Sequence, residues 1–434
     1  MKTRGHWLLV VTGVLCLSTP SLCQLNSGDR DTSVTMLDLT RDAIKKNYFD
    51  TTYRGIDVDF VFDQVKDRMK VAQNRDSLMM LVASATLALD DSHTFFLPPS
   101  RAAEVEYGWT IGLVGDDAFI SHVRPGSDAE QKGVKVGDKL ISIDGTQVNR
   151  KNLWKMEYRY NAVAPTSKVH MALQSSTDSH PREVEVATKI TKTGTVIPLQ
   201  VAYDRGVIKH GWYDKALVNE FVDFGSDLCI WKIHTFEQSD DAMEAAISHI
   251  RKFKNVVVDL RGNGGGYVDI EKKLTGAVFD HDVKIADQRS RRETKPLLAK
   301  TRGSGAYTGS LTVVVDQGSA SASEIFARVV QLEKRGRVIG DRSAGAVMES
   351  RFVPLQLGLE NMIFFGLSVT IDDLIMSDGK SLEKVGVTPD DIVLPTQADL
   401  ENKRDPVLTF AAKAAGVEVS PDKAGTFFPY VWPK

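Results

Sequence analysis

The sequence predicts an α/β protein organised around a parallel sheet, and three observations carry that expectation. Leu311-Thr312-Val313-Val314-Val315 and Asn255-Val256-Val257-Val258-Asp259-Leu260 are short apolar or β-branched runs, as expected of strands buried on both faces. Each runs into a turn of small residues: Gly318-Ser319-Ala320-Ser321-Ala322-Ser323-Glu324 after the first and Arg261-Gly262-Asn263-Gly264-Gly265-Gly266 after the second. Each turn opens a helical pattern, with apolar residues at 325, 326, 329, 330 and 332 in one case and the stretch Val268 to Phe279 in the other. Repeated strand, turn and helix units converge their strand ends on one site.

Upstream, the chain begins with a leader. Lys2 and Arg4 precede an apolar run from Trp7 to Leu17 and a small-residue region ending Ser21-Leu22-Cys23, the pattern of a signal peptide over residues 1–23. The apolar run is short for a membrane span, so a retained anchor is the lesser reading. A lipoprotein would carry a small residue immediately before Cys23, where Leu22 stands. The expected location is therefore secreted or periplasmic, with no transmembrane span after cleavage. Losing Lys2 and Arg4 takes the formal charge from −3 to −5, a balance that gives no reason to invoke nucleic acid or an anionic membrane as partner. Of the three cysteines only Cys229 would remain, so neither an intrachain disulfide nor a structural zinc site is expected.

Three segments follow. Residues 24–100 are predicted to form an N-terminal helical domain with Leu37, Ile44, Val61, Val65, Met69, Leu78, Leu81, Val82, Ala85 and Leu89 as core positions. Residues 101–190 read as short strands separated by turns: Trp109 to Val114, Ala118 to Val123, Lys139 to Ile143, Val169 to Leu173 and Glu183 to Ala187. Residues 191–434 hold the α/β core. The charged cluster Asp287 to Lys300 is a solvated loop or strand pair, or a border of the substrate cleft. No internal repeat is present.

The turn after Val315 puts Ser321 at a helix N-terminus, where unpaired N–H groups and the positive dipole end stabilise an oxyanion, as acyl transfer requires. Ser321 and Glu324 also form S-x-x-E, a capping box, which by itself marks only a helix start. The glycine turn lacks both G-x-G-x-x-G and the Lys-Ser/Thr ending of a P-loop, so no nucleotide site is indicated. His122, His170, His180, His210, His234, His249 and His281 are scattered without metal-ligand spacing, and neither metal nor organic cofactor is expected.

Four blocks, "VVVDLRGNGGG", "VVVDQGSASASEIFARVVQ", "DDSHTFFLPP" and "LEKVGVTPDDIV", resemble signatures of the C-terminal processing peptidases and tricorn-type core proteases. The segment "HVRPGSDAEQKGVKVGDKLISIDG" resembles a permuted PDZ domain. The resemblance implies a crotonase-like ββα superhelical protease core with the PDZ-like β domain inserted after the helical domain. It makes Ser321 the nucleophile, with Ser319 and Ser323 as turn and cap residues.

One departure decides the type of base. Serine-lysine members of this group carry a lysine in a "T-F-G-K-G" block, and this sequence reads Gly340-Asp341-Arg342-Ser343-Ala344-Gly345-Ala346-Val347-Met348, with Ala346 at that position. Tricorn-type members instead use a serine-histidine pair and a later glutamate, which here are Ser92, His93 and Glu383. The implied relay runs from Glu383 through Ser92 and His93 to Ser321. An imidazole near its ordinary pKa, about 6.5, takes the serine proton at neutral pH and returns it to the leaving amine. The oxyanion donors implied by resemblance are the N–H groups of Gly265 or Gly266 and of Ala322. Tricorn-type enzymes carry an acidic residue after the nucleophile; Ala322 stands there, so their substrate preference does not transfer.

A PDZ domain adds an extended peptide to an open strand edge and holds a terminal carboxylate on backbone N–H groups. Trp109, Ile111, Gly112 and Leu113 form the expected binding edge; the alternative is a module that braces the core or gates access. The whole reads as a serine peptidase acting on unfolded or C-terminal peptide segments. Two rivals are a non-catalytic ligand-binding protein on the same fold and a serine-lysine peptidase drawing on Lys380 or Lys384. Nothing in the sequence points to an oligomeric state.

Overall fold

The computed structural model describes Leu25 and residues 27–192, 218–358 and 362–432. The expected signal peptide lies outside these residues. Three helices open the described chain: α1 (Ser27–Asn47), α2 (Val58–Met69) and α3 (Arg75–Leu87). Asp57 and Asn74 cap α2 and α3 by accepting from the N–H groups of Phe60 and Ser77. Their apolar faces meet around Leu37, Ile44, Phe62, Met69, Leu78 and Val82. That core is completed by Phe365, Leu367 and Val369 of a strand nearly three hundred residues away in sequence. The helical segment therefore shares its core with a strand of the C-terminal half of the chain.

The loop after α3 feeds β1 (Phe95–Leu97), which pairs antiparallel with β18 (Ile363–Met376). Next, β2 (Ala103–Glu106) pairs with β9 (Lys189–Lys192), so the chain enters and leaves the intervening β domain through one ribbon. Inside are β3 (Trp109–Val114), β4 (Asp117–Val123), β5 (Lys139–Ile143), β6 (Thr146–Gln147), β7 (Lys168–Gln174) and β8 (Arg182–Ala187). They run in the order β3-β4-β5-β7-β8, with β6 on β5, so β3 is an edge strand. Two short helices, α4 (Asp128–Gln131) and α5 (Leu153–Tyr158), close a small core around Ile120, Leu140, Val169 and Met171. The domain is tied to the body at Asp341, whose carboxylate accepts from Arg150 at 2.7 Å and from the Gly115 N–H at 2.8 Å, while Arg342 pairs with Asp116 at 2.6 Å.

The central sheet runs β10 (Asn219–Phe224), β11 (Leu228–Ile233), β12 (Asn255–Asp259), β15 (Ser310–Val315), β16 (Arg337–Gly340) and β19 (Asp391–Ile392). All neighbours are parallel except β10, an antiparallel edge. Alternate side chains explain the layers. Val256, Val258, Val313 and Val315 face α6 (Asp240–Ile250), α7 (Val268–Val278) and α8 (Ala322–Leu332). Ile230, Val257, Val314 and Ile339 face the C-terminal helices that include α10 (Pro406–Ala414), after the short α9 (Gln397–Glu401). A second sheet contains β1, β18, β13 (Val283–Ser290) and β14 (Thr294–Ala299), with β17 (Met348–Leu357) on β18. The charged cluster from Asp287 to Lys300 thus resolves largely into the β13–β14 hairpin.

Candidate active site

The nucleophile candidate sits where β15 ends and α8 begins. Ser321 has φ 55° and ψ −119°, a positive φ on a residue with a side chain. Such a backbone costs about 1–3 kcal/mol and persists only when its surroundings hold it. They do so here. The Ser321 N–H donates to the Ala346 carbonyl at 2.9 Å and to Glu324 Oε2 at 3.1 Å. Ser319 Oγ donates to the Leu260 carbonyl at 2.8 Å, and Ser323 Oγ to the Asn263 carbonyl at 2.9 Å. The flanking serines thus bolt the turn to the glycine loop.

That loop lies against the turn because it is glycine where the two come closest. A Cβ at Gly265, where φ is +97°, would fall 2.7 Å from Ser321 Cβ, and one at Gly266 would fall 2.3 Å from the Glu237 nitrogen. Gly265 donates its N–H to Asn263 Oδ1 at 2.9 Å, so its contribution is close approach. The N–H groups of Gly266 and Ala322 have no acceptor among the described residues. Ala322 opens α8, where first-turn N–H groups lack helical partners.

The second half of the site comes from the loop after α3. Asp91, fully buried, accepts from the His93 N–H at 2.9 Å, the Thr94 N–H at 2.6 Å and Thr370 Oγ1 at 2.9 Å. This fixes Ser92 and His93 against β18. Ser92 Oγ lies 2.7 Å from His93 Nδ1 and donates to Glu383 Oε2 at 2.8 Å, while the Ser92 N–H donates to Glu383 Oε1 at 2.8 Å. A hydroxyl has one proton. Given to Glu383, it leaves Ser92 Oγ an acceptor, so His93 carries its proton on Nδ1 and presents a lone pair on Nε2. His93 is buried at 4% exposure, and burial pushes the Glu383 carboxyl upward against the pull of the Ser92 bonds.

The two halves meet at neighbouring residues. Ala346 accepts from Ser321, and the Val347 N–H donates to Glu383 Oε2 at 3.0 Å. Glu324 organises this junction. Fully buried, its carboxylate accepts from Ser321 N–H, Ser343 Oγ at 2.5 Å, Gly345 N–H at 2.7 Å and Ala346 N–H at 2.9 Å. Burial pushes it up to about 7 while those donors pull the other way. The two candidate lysines sit elsewhere. Lys380 and Lys384 are exposed, and Lys384 Nζ faces Asp90 at 3.3 Å and the Trp154 ring at 5.4 Å.

Sequence reasoning missed two carboxylates, Asp91 and Glu324 as a hub. The signal for Asp91 was its place two residues before His93, an Asx-turn position. For Glu324 the capping-box pattern concealed a longer reach: one oxygen serves the helix start and both serve the 343–346 loop. The peptide-binding candidates Trp109, Ile111, Gly112 and Leu113 all lie on β3, the free edge of the β domain, with Leu113 buried in its core.

Comparison with known proteins bears on this geometry. The peptidase family S41 profile matches residues 227–393, which span β11 to β19 and contain Ser321 and Glu383, and the PDZ domain profile matches residues 102–174. The segment from β11 to β19 is a peptidase family S41 domain. The chain is a serine peptidase of mixed α/β architecture with a PDZ domain inserted before the protease core. It is 27% identical over 387 residues to the chloroplastic C-terminal processing peptidase of Tetradesmus obliquus, covering 83% of this chain and 77% of that protein. It is 25% identical over 333 residues to the tail-specific protease of Haemophilus influenzae, covering 73% of this chain and 45% of that protein. Among solved structures, mature CPAF superposes with a TM-score of 0.63 at 14% identity, covering 86% of this chain and 95% of that one, a likeness of fold. No helix among the described residues of this peptidase is long and apolar enough to cross a membrane.

Proposed function

We propose that this peptidase is exported, to the periplasm or outside the cell, and cleaves unstructured or C-terminal peptide segments through an acyl-enzyme on Ser321. The observation that carries the reading is the Glu383–Ser92–His93 chain, because it leaves the imidazole in the one tautomer a general base needs. Ser321 Oγ attacks the scissile carbonyl as His93 Nε2 takes its proton. The negative oxygen of the tetrahedral intermediate is held by the N–H groups of Gly266 and Ala322, with Gly265 keeping the space clear. The imidazolium then protonates the leaving amine, and water, deprotonated by the same nitrogen, releases the acid product. Ser92 and Glu383 hold the tautomer and stabilise the transient positive charge. No step draws on a metal or organic cofactor. The PDZ domain offers β3 to the peptide's terminal segment.

A fluorophosphonate probe tests this directly. Labelling of Ser321 alone, lost in Ser321→Ala and strongly slowed in His93→Ala, is the expected result. Absence of labelling in folded protein favours the ligand-binding reading, and labelling that survives His93→Ala but needs Lys384 favours the serine-lysine one.

A further inference from the structure

On the far edge of the central sheet, three side chains of different chemistry converge outside the active site. Asp223 on β10 and Cys229 on β11 are directly opposed in the antiparallel ladder, so their side chains leave the same face. That face carries α6, whose last turn brings in His249. His249 Nε2 lies 3.1 Å from the Asp223 carboxylate, and the thiol, imidazole and carboxylate ligand atoms all lie within 4.8 Å of one another. Phe221 and Phe253, with ring centroids 4.4 and 5.3 Å from the His249 ring, flank the imidazole. The sequence could not announce this set, since its members come from separate elements and share no ligand spacing.

We propose that Asp223, Cys229 and His249 form a binding site for a zinc-like transition-metal ion. A thiolate, an imidazole and a carboxylate suit a borderline-soft ion; calcium and magnesium demand oxygen ligands. Bond lengths of about 2.0–2.3 Å in a tetrahedral site place donor atoms roughly 3.5 Å apart, so the widest gap closes by about 1 Å. Asp223 and His249 make that movement. Their side chains are 39% and 29% exposed, whereas Cys229 is fully buried and fixed by the sheet. The exposed pair is also the access route, and a water completes the fourth position. Binding takes the proton from the Cys229 thiol, forms the metal–sulfur bond and releases that proton to solvent. The ion clamps the edge strand β10 and the end of α6 to β11, a stabilising role away from the peptidase residues.

Cobalt(II) reports the site by colour. Titrated into the folded protein, it is expected to give a thiolate-to-cobalt charge-transfer band saturating at one equivalent, displaced by zinc. Zinc at a hundred times its dissociation constant is expected to raise the melting temperature by several degrees, as ligand linkage requires. Cys229→Ser should abolish the band. If that variant fails to fold, His249→Gln, at a partly exposed position, should weaken cobalt binding at least tenfold with the fold intact. A folded wild-type protein without the band, a band that persists in Cys229→Ser, or unchanged affinity in His249→Gln overturns the proposal.

Discussion

Glu383 holds Ser92 twice, accepting from its backbone N–H and its hydroxyl at 2.8 Å each, across 291 residues of sequence. The double contact removes the freedom of the Ser92 hydroxyl to donate toward His93. It converts a short polar side chain into a relay with one direction. Glu383→Gln keeps the volume but replaces one acceptor oxygen by a donor, so three donors face one good acceptor and Ser92 can turn its proton to His93 Nδ1. The wrong tautomer then predominates. We expect kcat to fall about 10²–10⁴-fold with KM little changed, by analogy with a triad whose orienting carboxylate is replaced by an amide. A Gln variant with near-normal kcat would remove Glu383 from the relay.

The proposed role of His93 as base is tested by His93→Ala. Turnover of an unstructured peptide should fall at least about a hundredfold with the fold intact, whereas Lys380→Ala and Lys384→Ala should change it little. In the wild type, kcat/KM should drop on the acid side with an apparent limb at about pH 6–7, where imidazole gains its proton. A limb above about pH 8, together with a dead but folded Lys384→Ala, would restore the serine-lysine reading.

Much of the candidate site was legible because the acyl transfer proposed for it draws on few residue types in local patterns. A buried strand followed by small residues and a helix start marked the serine-rich turn, and resemblance singled out Ser321 within it. The distant carboxylate was legible only through resemblance, since no local pattern ties Glu383 to Ser92. Asp91 and Glu324 escaped for a different reason. Their work is to satisfy backbone N–H groups of loops brought together by folding, and sequence periodicity reports burial faces, not where orphan donors end up. The fold shows the same division. The parallel strands announced themselves by composition, but the merging of the N-terminal helices with β18 depends on a tertiary contact that neither segment encodes alone.

Glu324 provides a prediction about architecture. Four donors point at one buried carboxylate, so Glu324→Ala strands three of them, Ser343 Oγ and the N–H groups of Gly345 and Ala346, while the Ser321 N–H keeps the Ala346 carbonyl. At about 1–3 kcal/mol for each unsatisfied buried group, the loss should be at least about 3 kcal/mol, unless water enters the vacated space. Chemical denaturation should report it. Activity should fall further than stability explains, because the Ser321 turn and the loop carrying Ala346 lose their common anchor. Serine labelling at wild-type rate in a destabilised variant would confine Glu324 to folding.

A second buried carboxyl gives a pH signature independent of catalysis. Glu271 on α7 is fully buried with Thr275 as its hydroxyl partner at 2.7 Å, and burial pushes it up to about 8. A carboxyl that holds its proton more tightly folded than unfolded favours the native state at low pH. That contribution disappears as pH rises through the folded value, here between about pH 4.5 and 8. Glu271→Gln should therefore flatten the decline in stability across this window and be relatively more stable at pH 8 than at pH 5. Parallel stability profiles for wild type and variant would show that Glu271 stays ionised.

The last prediction separates recognition from chemistry. The edge strand β3 has no strand partner on its outer side among the described residues, and an extended peptide can complete the sheet there. If a substrate's terminal carboxylate docks at the start of this strand, amidating it removes the charge that backbone N–H groups hold. Cleavage of the amidated peptide should then show a lower kcat/KM than cleavage of the free acid, with the difference carried by remote binding energy. In the proposed mechanism small activated esters need only Ser321, His93 and the oxyanion donors, so their hydrolysis should not respond to added competitor peptide at the PDZ edge. The Asp341 contacts with Arg150 and Gly115 make the alternative concrete, because they join the β domain to the strand that leads to Ser343 and Glu324. Arg150→Ala should loosen that junction. Equal cleavage of free-acid and amidated peptides, combined with reduced ester hydrolysis in Arg150→Ala, would mean that the domain braces the active site and does not capture the peptide terminus.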